Sequence, residues 1–539
     1  MIEALYFIEK GRKTKIDFLV KNDNKFEINC NQYVSETTTS FDIEIEFKFS
    51  IVQFRNHDYT WVDLKIDRIA NEFSPKILKL DNDLYVQSNI FEGIWEVNKK
   101  DKRKLLWRFN PDGASPITYY LGNDNKKTIL NSKQIFQFTA LPTLLFNSKN
   151  AIEFSRSKKT FSAITVFTDH CDFDTLENLK LQRTFFKQNN IKITKGFFLN
   201  HFSKRNDNAS YQNDASELLN WKRDGHELCY HSLSQSIKSK NESWNDFYNF
   251  KPPFPDLKTW IDHGYQPYNV SLLDKNKIDL NLYENNLKTK NISILWNYVD
   301  CGTATKGVVN QLNNNHFTLS KFLKGNNNLS LITKLQLMIK NIIFHYYGDE
   351  NLILKYKKTA TDFKKLIYNN NVKSIFSLIK NFFQIGFDIF KVILFWNKSK
   401  NKSYKYAKYN PILFKHTILN NEFYFFQTLE MIDFKKSLCK NNIDELILEK
   451  GVFIAHTYFS VPMKYHQGKF FKNENEIDEN VSKNFHYLGN KIKNNEIWNP
   501  TLIELTNYWS NFEKIILDVN LEGELIVKNN SNLIFREIN

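Results

Sequence analysis

No two of the five cysteines, Cys30, Cys171, Cys229, Cys301 and Cys439, stand in a C-x-x-C pair, which argues against a disulfide framework and against a zinc ribbon. The opening MIEALYFIEKGRKTKIDFLV lacks a basic run followed by a continuous apolar core. It does not read as a signal peptide, and a cytoplasmic location is expected. The net charge of +15 lacks a pattern, because lysine is spread along the chain instead of gathering into the stripe of a nucleic-acid binder. Nucleic acid is therefore not an expected partner. What is abundant is apolar and aromatic side chain, 42% and 15% of the sequence with 47 Phe, in 539 residues that suffice for several domains and more than one core.

The most chemically loaded stretch is Ala163 to Thr175, AITVFTDHCDFDT. Ala163 to Thr168 read as a short buried strand, and Asp169, His170, Asp172 and Asp174 follow within six positions. In α/β folds ligands sit beyond the carboxyl ends of the strands, so metal or proton chemistry is expected here. Asp174 has a second reading. With Glu177 it forms the D-x-x-E pattern of a capping box before a helix over about Leu176 to Gln188.

Residues 1–150 alternate apolar and polar over short runs, as in Phe41 to Ile51 and Lys104 to Phe109. They predict a half-buried antiparallel β domain, a sandwich. From about 151 the pattern becomes strand, turn, helix. Ile193 to Asn200, His226 to Ser232, Tyr265 to Val270 and Ile292 to Val299 are strand candidates, and Asp214 to Lys222 is a helix that Asp224-Gly225 stops. The pattern resumes at Gly451 to Phe459, followed by a helix for which Asn499 caps and Pro500 takes the first position. Repeated β-then-α implies parallel strands in a barrel or open sheet over 151–305 and 446–512. Residues 513–539 return to strand patterns that close back onto the N-terminal β domain.

Residues 306–445 read as a helical insertion. In Ile375 to Trp396, Lys380, Gln384, Asp388 and Lys391 form one polar stripe on an otherwise apolar helix, and the basic run Lys398 to Lys408 follows. Either this helix pairs with Leu331 to Tyr347 as a hairpin, or 375–408 makes a peripheral contact with an anionic membrane surface.

Of twelve histidines, His170, His201, His226, His231, His263 and His456 fall in or near the expected barrel strands, a concentration that points to a site. The residues there resemble a known family, the metal-dependent polysaccharide deacetylases, whose distorted (β/α) barrel carries short motifs in fixed order. VFTDH at 166–170 looks like the family's T-F-D-D, in which the first Asp is the catalytic base and the second a metal ligand. In one register Asp169 is the base and His170 replaces the ligand; slipped by one, Asp169 is the ligand and Thr168 falls in the base position. DGHELCYHSLSQ at 224–235 is similar to G-H-E-x-x-x-H-[ST]-x-x-H, with His231 on the first metal-binding histidine and Gln235 near the second. YQPYN at 265–269 echoes R-x-P-Y, which places Gln266 and Tyr268 along the substrate groove. IAHTYF at 454–459 resembles L-x-H, making His456 the general acid, and Asp300 at a strand end is placed to orient it.

The resemblance implies an α/β fold, a deacetylase-like barrel with the N-terminal β domain and the helical insertion. It implies a divalent metal, zinc first. Gln235 is a poor zinc ligand beside imidazole, so Asp172, Asp174 or His263 completes the set, or the metal has been lost. The implied reaction removes an acyl group from an N- or O-acylated sugar of a polysaccharide or glycolipid. A lipid-linked substrate at the inner membrane face would suit both the missing signal peptide and the apolar insertion. The alternative is a catalytically degenerate barrel that binds carbohydrate or scaffolds a partner.

Overall fold

The computed structural model describes the chain apart from residues 121–126, 139, 236–237, 264–269, 272–277, 302–306, 308, 325–341, 344–350, 360–385, 387–389, 391–393, 395–402, 432, 463–467 and 530–531. The N-terminal part forms a six-stranded and a seven-stranded antiparallel sheet that bury one shared core, in which Ile43, Phe47 and Trp107 of one sheet meet Phe54, Leu78 and Val86 of the other. Phe41–Phe47 alternates buried and half-buried positions as its sequence does. The run does not continue to Ile51 as one strand, because Ile51–Arg55 crosses into the second sheet.

A ten-stranded sheet carries the rest. Its order is Leu413–Ile418, Asn421–Phe426, Ile294–Trp296, Thr259–Ile261, Glu227–His231, Thr194–Phe197, Ala163–Asp169, Val452–Thr457, Leu429–Glu430, with Ile497–Trp498 also pairing Ala163–Asp169. All neighbours run parallel except the hairpin of Leu413–Ile418 with Asn421–Phe426. Phe426 lies near one end of this order and Leu429 at the other, yet three chain steps span at most about 11 Å. The sheet is therefore curled into a half-barrel. Gln311 fills the seam, its side chain donating to the Gln427 carbonyl (2.9 Å) and accepting from the Ile454 amide (2.6 Å).

Two expectations change here. The stretch 413–430, read as part of a helical insertion, supplies three strands of the sheet. Its aromatic and β-branched runs flank a turn in which Leu419 adopts φ 51°. The long helical patterns at 331–347 and 375–396, and with them most of the expected membrane contact over 375–408, lie outside the described residues. Among the described residues no helix is long and apolar enough to cross a membrane. Lys405 and Lys408, from the end of the basic run, pair instead with Asp112 (3.7 Å) and Glu96 (3.6 Å) of the N-terminal sheets.

Helix Leu176–Gln188 has the expected bounds, but Thr175 and not Asp174 caps it, its hydroxyl accepting from the Asn178 amide. Ser210 caps Tyr211–Arg223, and Asp214 sits inside it with non-helical backbone while accepting from the Ser210 amide. Gly225, at φ +88°, lets the chain leave that helix. The last helix begins at Leu502 behind a Thr501–Glu504 capping box. Asn499 is occupied elsewhere, joining the Thr165 carbonyl and the Lys192 amide. At the carboxyl end of the chain Phe535–Ile538 pairs with Ala151–Phe154.

Candidate metal centre

Strand alternation decides which side chains meet. Ile164 and Val166 face the inside of the curl, sharing a cluster with Cys229, Ile261, Ile294, Trp296 and Ile454. With a period of two, the same face receives His170, His231, His263 and His456. The alternate members of these strands, Ala163, Phe167, Leu228, Leu295 and Phe453, belong to the other cluster, which packs with the helices.

His170, Asp172 and His231 each bring one ligand atom within 4.8 Å of the others, and all three residues are buried. The His170 Nδ1 and His231 Nε2 atoms lie 2.9 Å apart, and Asp172 Oδ2 is 3.6 Å from His231 Nε2. The other Asp172 oxygen meets His263 Nδ1 at 2.5 Å. Burial works to raise the Asp172 carboxyl, but the imidazoles of His231 and His263 outweigh it and hold it at about 2. Burial depresses His231 to about 3 and His170 well below its ordinary value, so both rings are neutral at neutral pH and one of the two facing nitrogens donates to the other.

His456 stacks on His170 with ring centroids 4.0 Å apart. Its Nδ1 lies 3.1 Å from an oxygen of Asp300, which in turn accepts from the Thr428 hydroxyl. The Thr428 hydroxyl accepts from Trp296 Nε1 at 3.1 Å. Burial alone would lower His456; the Asp300 carboxylate outweighs it and raises the imidazole above its ordinary value. Trp296 and Tyr458 wall the cluster, 4.8 and 4.9 Å from the His170 ring.

The buried nitrogens His170 Nε2, His231 Nδ1 and His456 Nε2 have no hydrogen-bond partner. Two of these, His170 Nε2 and His231 Nδ1, are the ring atoms on the far side from the 2.9 Å His170–His231 contact. Two imidazoles and a carboxylate form a three-residue set of the kind that can hold a metal ion with a position left open.

Asp169 and Asp174 stand apart from this set. Asp169 is one residue out of phase with His170 and faces the helix layer, where the fully buried Lys195 ammonium bonds to it, to Asp174 (2.5 Å) and to Gln182 (3.0 Å). The other Asp169 oxygen accepts from the Phe459 amide at 3.2 Å. Burial alone would lower the Lys195 ammonium, and the two carboxylates push it above its ordinary value. Both registers set out for Asp169 therefore meet the same obstacle: its oxygens are committed to the helix side of the sheet. Gln235 is also absent from the ligand set. Its Oε1 accepts from Ser203 (2.6 Å) and Asn208 (2.5 Å), and its amide donates to the Asp172 carbonyl (3.0 Å), steadying the loop that carries the ligand. His226 lies at the opposite end of its strand, accepting from the Ile193 amide. Gln266 and Tyr268 lie outside the described residues.

Lys195, Thr428, Trp296 and Tyr458 were not foreseen. Lys195 alone left a signal, since a lysine inside the apolar run ITKGFF must find a buried counter-charge.

No family model and no curated protein matches the chain. Among solved structures it is similar to an uncharacterized protein from Listeria monocytogenes EGD-e, at 9% identity, TM-score 0.22, over 53% of this chain and 31% of that one. It is also similar to a xylosidase from Aspergillus niger, at 10% identity, TM-score 0.18, over 54% of this chain and 41% of that one. This chain thus spans less than half of either structure's length, and at these TM-scores neither likeness bears on fold or activity.

Proposed function

We propose that the protein is a zinc-dependent hydrolase with a deacetylase-like barrel that removes an acyl group from an N- or O-acylated sugar of a polysaccharide or glycolipid. The observation that carries this reading is the convergence of His170, Asp172 and His231 beside the His456–Asp300 pair. The sugar comes from the motif resemblance at 166–170, 224–235 and 454–459.

His170, Asp172 and His231 would hold the ion, with His263 fixing the far oxygen of Asp172. A divalent ion held there would supply polarisation of an acyl carbonyl and a lowered pKa for bound water. His456, whose protonated form the Asp300 carboxylate favours, is the general acid for the leaving amine or alkoxide. Asp169, bound to Lys195, is a poor base, which departs from the family pattern. Tyr458, half-buried, packs against the rings of His170 and His456 and helps hold them in place.

The same departure favours a second reading, a degenerate barrel that binds carbohydrate without turnover. Elemental analysis of the purified protein beside His231→Ala separates them when joined to a screen of acetylated amino sugars for released acetate. One zinc equivalent lost in the variant, with acetate release that the variant lacks, supports the hydrolase. A His231→Ala protein that keeps every metal equivalent refutes it.

A further inference from the structure

A second cluster lies at the other end of the strand that carries His456. Helix Lys440–Leu448, capped at its carboxyl end by Glu449, precedes Val452–Thr457, and the short turn Asn314–Phe317 packs beside it. His316 Nε2, in a side chain only 5% exposed, lies 3.2 Å from Glu449 Oε1 and 3.5 Å from Glu445 Oε1. The three groups form a set within 4.8 Å that shares no residue with the first centre. Val452 to His456 alone extends about 13 Å at 3.3 Å per residue, so the two sets are separate sites.

Three features distinguish this set from an ordinary ion pair. First, two carboxylates one helical turn apart face a single imidazole nitrogen, which has at most one proton to share between them, and like charges at i and i+4 repel. Second, ligand atoms on a common ion at bonds of about 2.1 Å lie roughly 3.0–3.4 Å apart at tetrahedral or octahedral angles; the 3.2 Å separation falls within that spacing and the 3.5 Å one just beyond it, on the more exposed side. Third, Glu449 is held in place from behind. Asn310 Nδ2 donates to its Oε2 and Asn313 Nδ2 to its Oε1, each at 2.7 Å. Those amides are themselves anchored, Asn310 Oδ1 by the Leu312 and Val452 amides and Asn313 Oδ1 by the Asn315 amide. An outer layer that fixes a ligating carboxylate is what metal centres require.

We infer that His316, Glu445 and Glu449 form a second divalent-cation site, of the mixed imidazole and carboxylate class that takes Zn2+ or Mn2+. Glu445, 40% exposed, is the side by which an ion enters. The site ties segment 309–317 to helix Lys440–Leu448, so its role is to clamp the two ends of the region inserted between the barrel strands.

The test is equilibrium dialysis of the stripped full-length protein against Zn2+ or Mn2+, with metal counted by elemental analysis. His231→Ala should retain one tight equivalent of one of these ions, and His231→Ala/Glu449→Gln should retain none. Should the double variant fail to fold, Glu445→Gln, an exposed and isosteric change, is expected to weaken that equivalent at least tenfold. Adding the ion to His231→Ala should also slow hydrogen exchange in 309–317 and 440–448. Failure of His231→Ala to bind either ion overturns the inference, as does unchanged binding in both Glu445→Gln and Glu449→Gln. If wild type binds one equivalent that survives His231→Ala and is lost in Glu449→Gln, this site stands and the first one falls.

Discussion

Lys195→Met tests whether the motif around Asp169 is split between two networks. Lys195 is fully buried between Asp169 and Asp174, and water does not reach it. Removing the cation strands two buried carboxylates, a change that costs about 3–5 kcal/mol when one partner of a buried pair is lost. The pH dependence follows from Asp169, which burial pushes from 3.8 up to about 6 against the opposing pull of Lys195. A carboxyl raised on folding stabilises the fold fully below its unfolded value, and that contribution is lost as the pH rises through the folded value. In wild type the loss, roughly 3 kcal/mol at 1.36 kcal/mol per unit, is complete soon above pH 6. In Lys195→Met the folded value moves higher still, so stability keeps falling above pH 6. Calorimetric melting at pH 5.5 and pH 8 reads this directly. With an unfolding entropy of about 2.1 cal/mol/K per residue, a chain of 539 residues shifts by roughly 1 °C per kcal/mol, so the variant should melt about 3–5 °C below wild type at pH 8, with a clearly smaller gap at pH 5.5. Adding Asp169→Asn and Asp174→Asn should restore most of the loss. An equal gap at both pH values would refute the ionic network, and would leave Asp169 free for the base role.

Asp300→Asn should drop the His456 imidazole, now raised by that carboxylate, below its ordinary value. The protonated acid then disappears at lower pH, and the alkaline limb of the activity profile shifts acidward; an unmoved limb would place the acid elsewhere. Gln235→Ala frees the loop bearing Asp172 without touching a ligand atom. Zinc affinity, measured by competition with a chelator, should fall about 10–100-fold, as for other residues that orient a ligand from behind. Gly196→Ala sets a methyl group against the Asp169 carbonyl oxygen and 3.2 Å from His231 Cβ. The strands bearing His170 and His231 must then part, so both melting temperature and zinc content should drop, whereas a fall in neither would show that the sheet can yield there.

How much the sequence disclosed depended on how local the cause was. The buried strand at 163–169, the helix at 176–188 and the histidine-rich strand ends follow from patterns a few residues long. The separation of Asp169 from His170 is also local, a matter of strand parity, yet a motif matched letter by letter reads the two as neighbours with one task. Nothing near Gln235 announces Ser203 and Asn208 as its partners. The strands at 413–430 were hidden because the apolar runs before them suit helix and strand alike, and only pairing with Ile294–Trp296 and Val452–Thr457 fixes their state. Strand Thr259–Ile261, three residues long, is below what any pattern can reveal.

The role of residues 1–150, opaque in the sequence, is constrained by two buried arginines. Glu153, 1% exposed, takes Arg55 from the N-terminal sheets at 2.8 Å and Arg536 from the end of the chain at 2.6 Å. Arg156, also 1% exposed, forms no ion pair among the described residues, and its guanidinium is held by backbone carbonyls. Those of His57 and Phe73 belong to the N-terminal part, and that of Lys450 immediately precedes the strand carrying His456. A buried cation held this way is stable only while every carbonyl stays in place, because each one lost leaves donors that water cannot reach. Phe91, Leu145 and Phe154 meanwhile share one cluster with Val452, Ile454 and Trp509. The N-terminal sheets therefore brace the root of the strand whose far end presents His456, and the two parts form a single folded body.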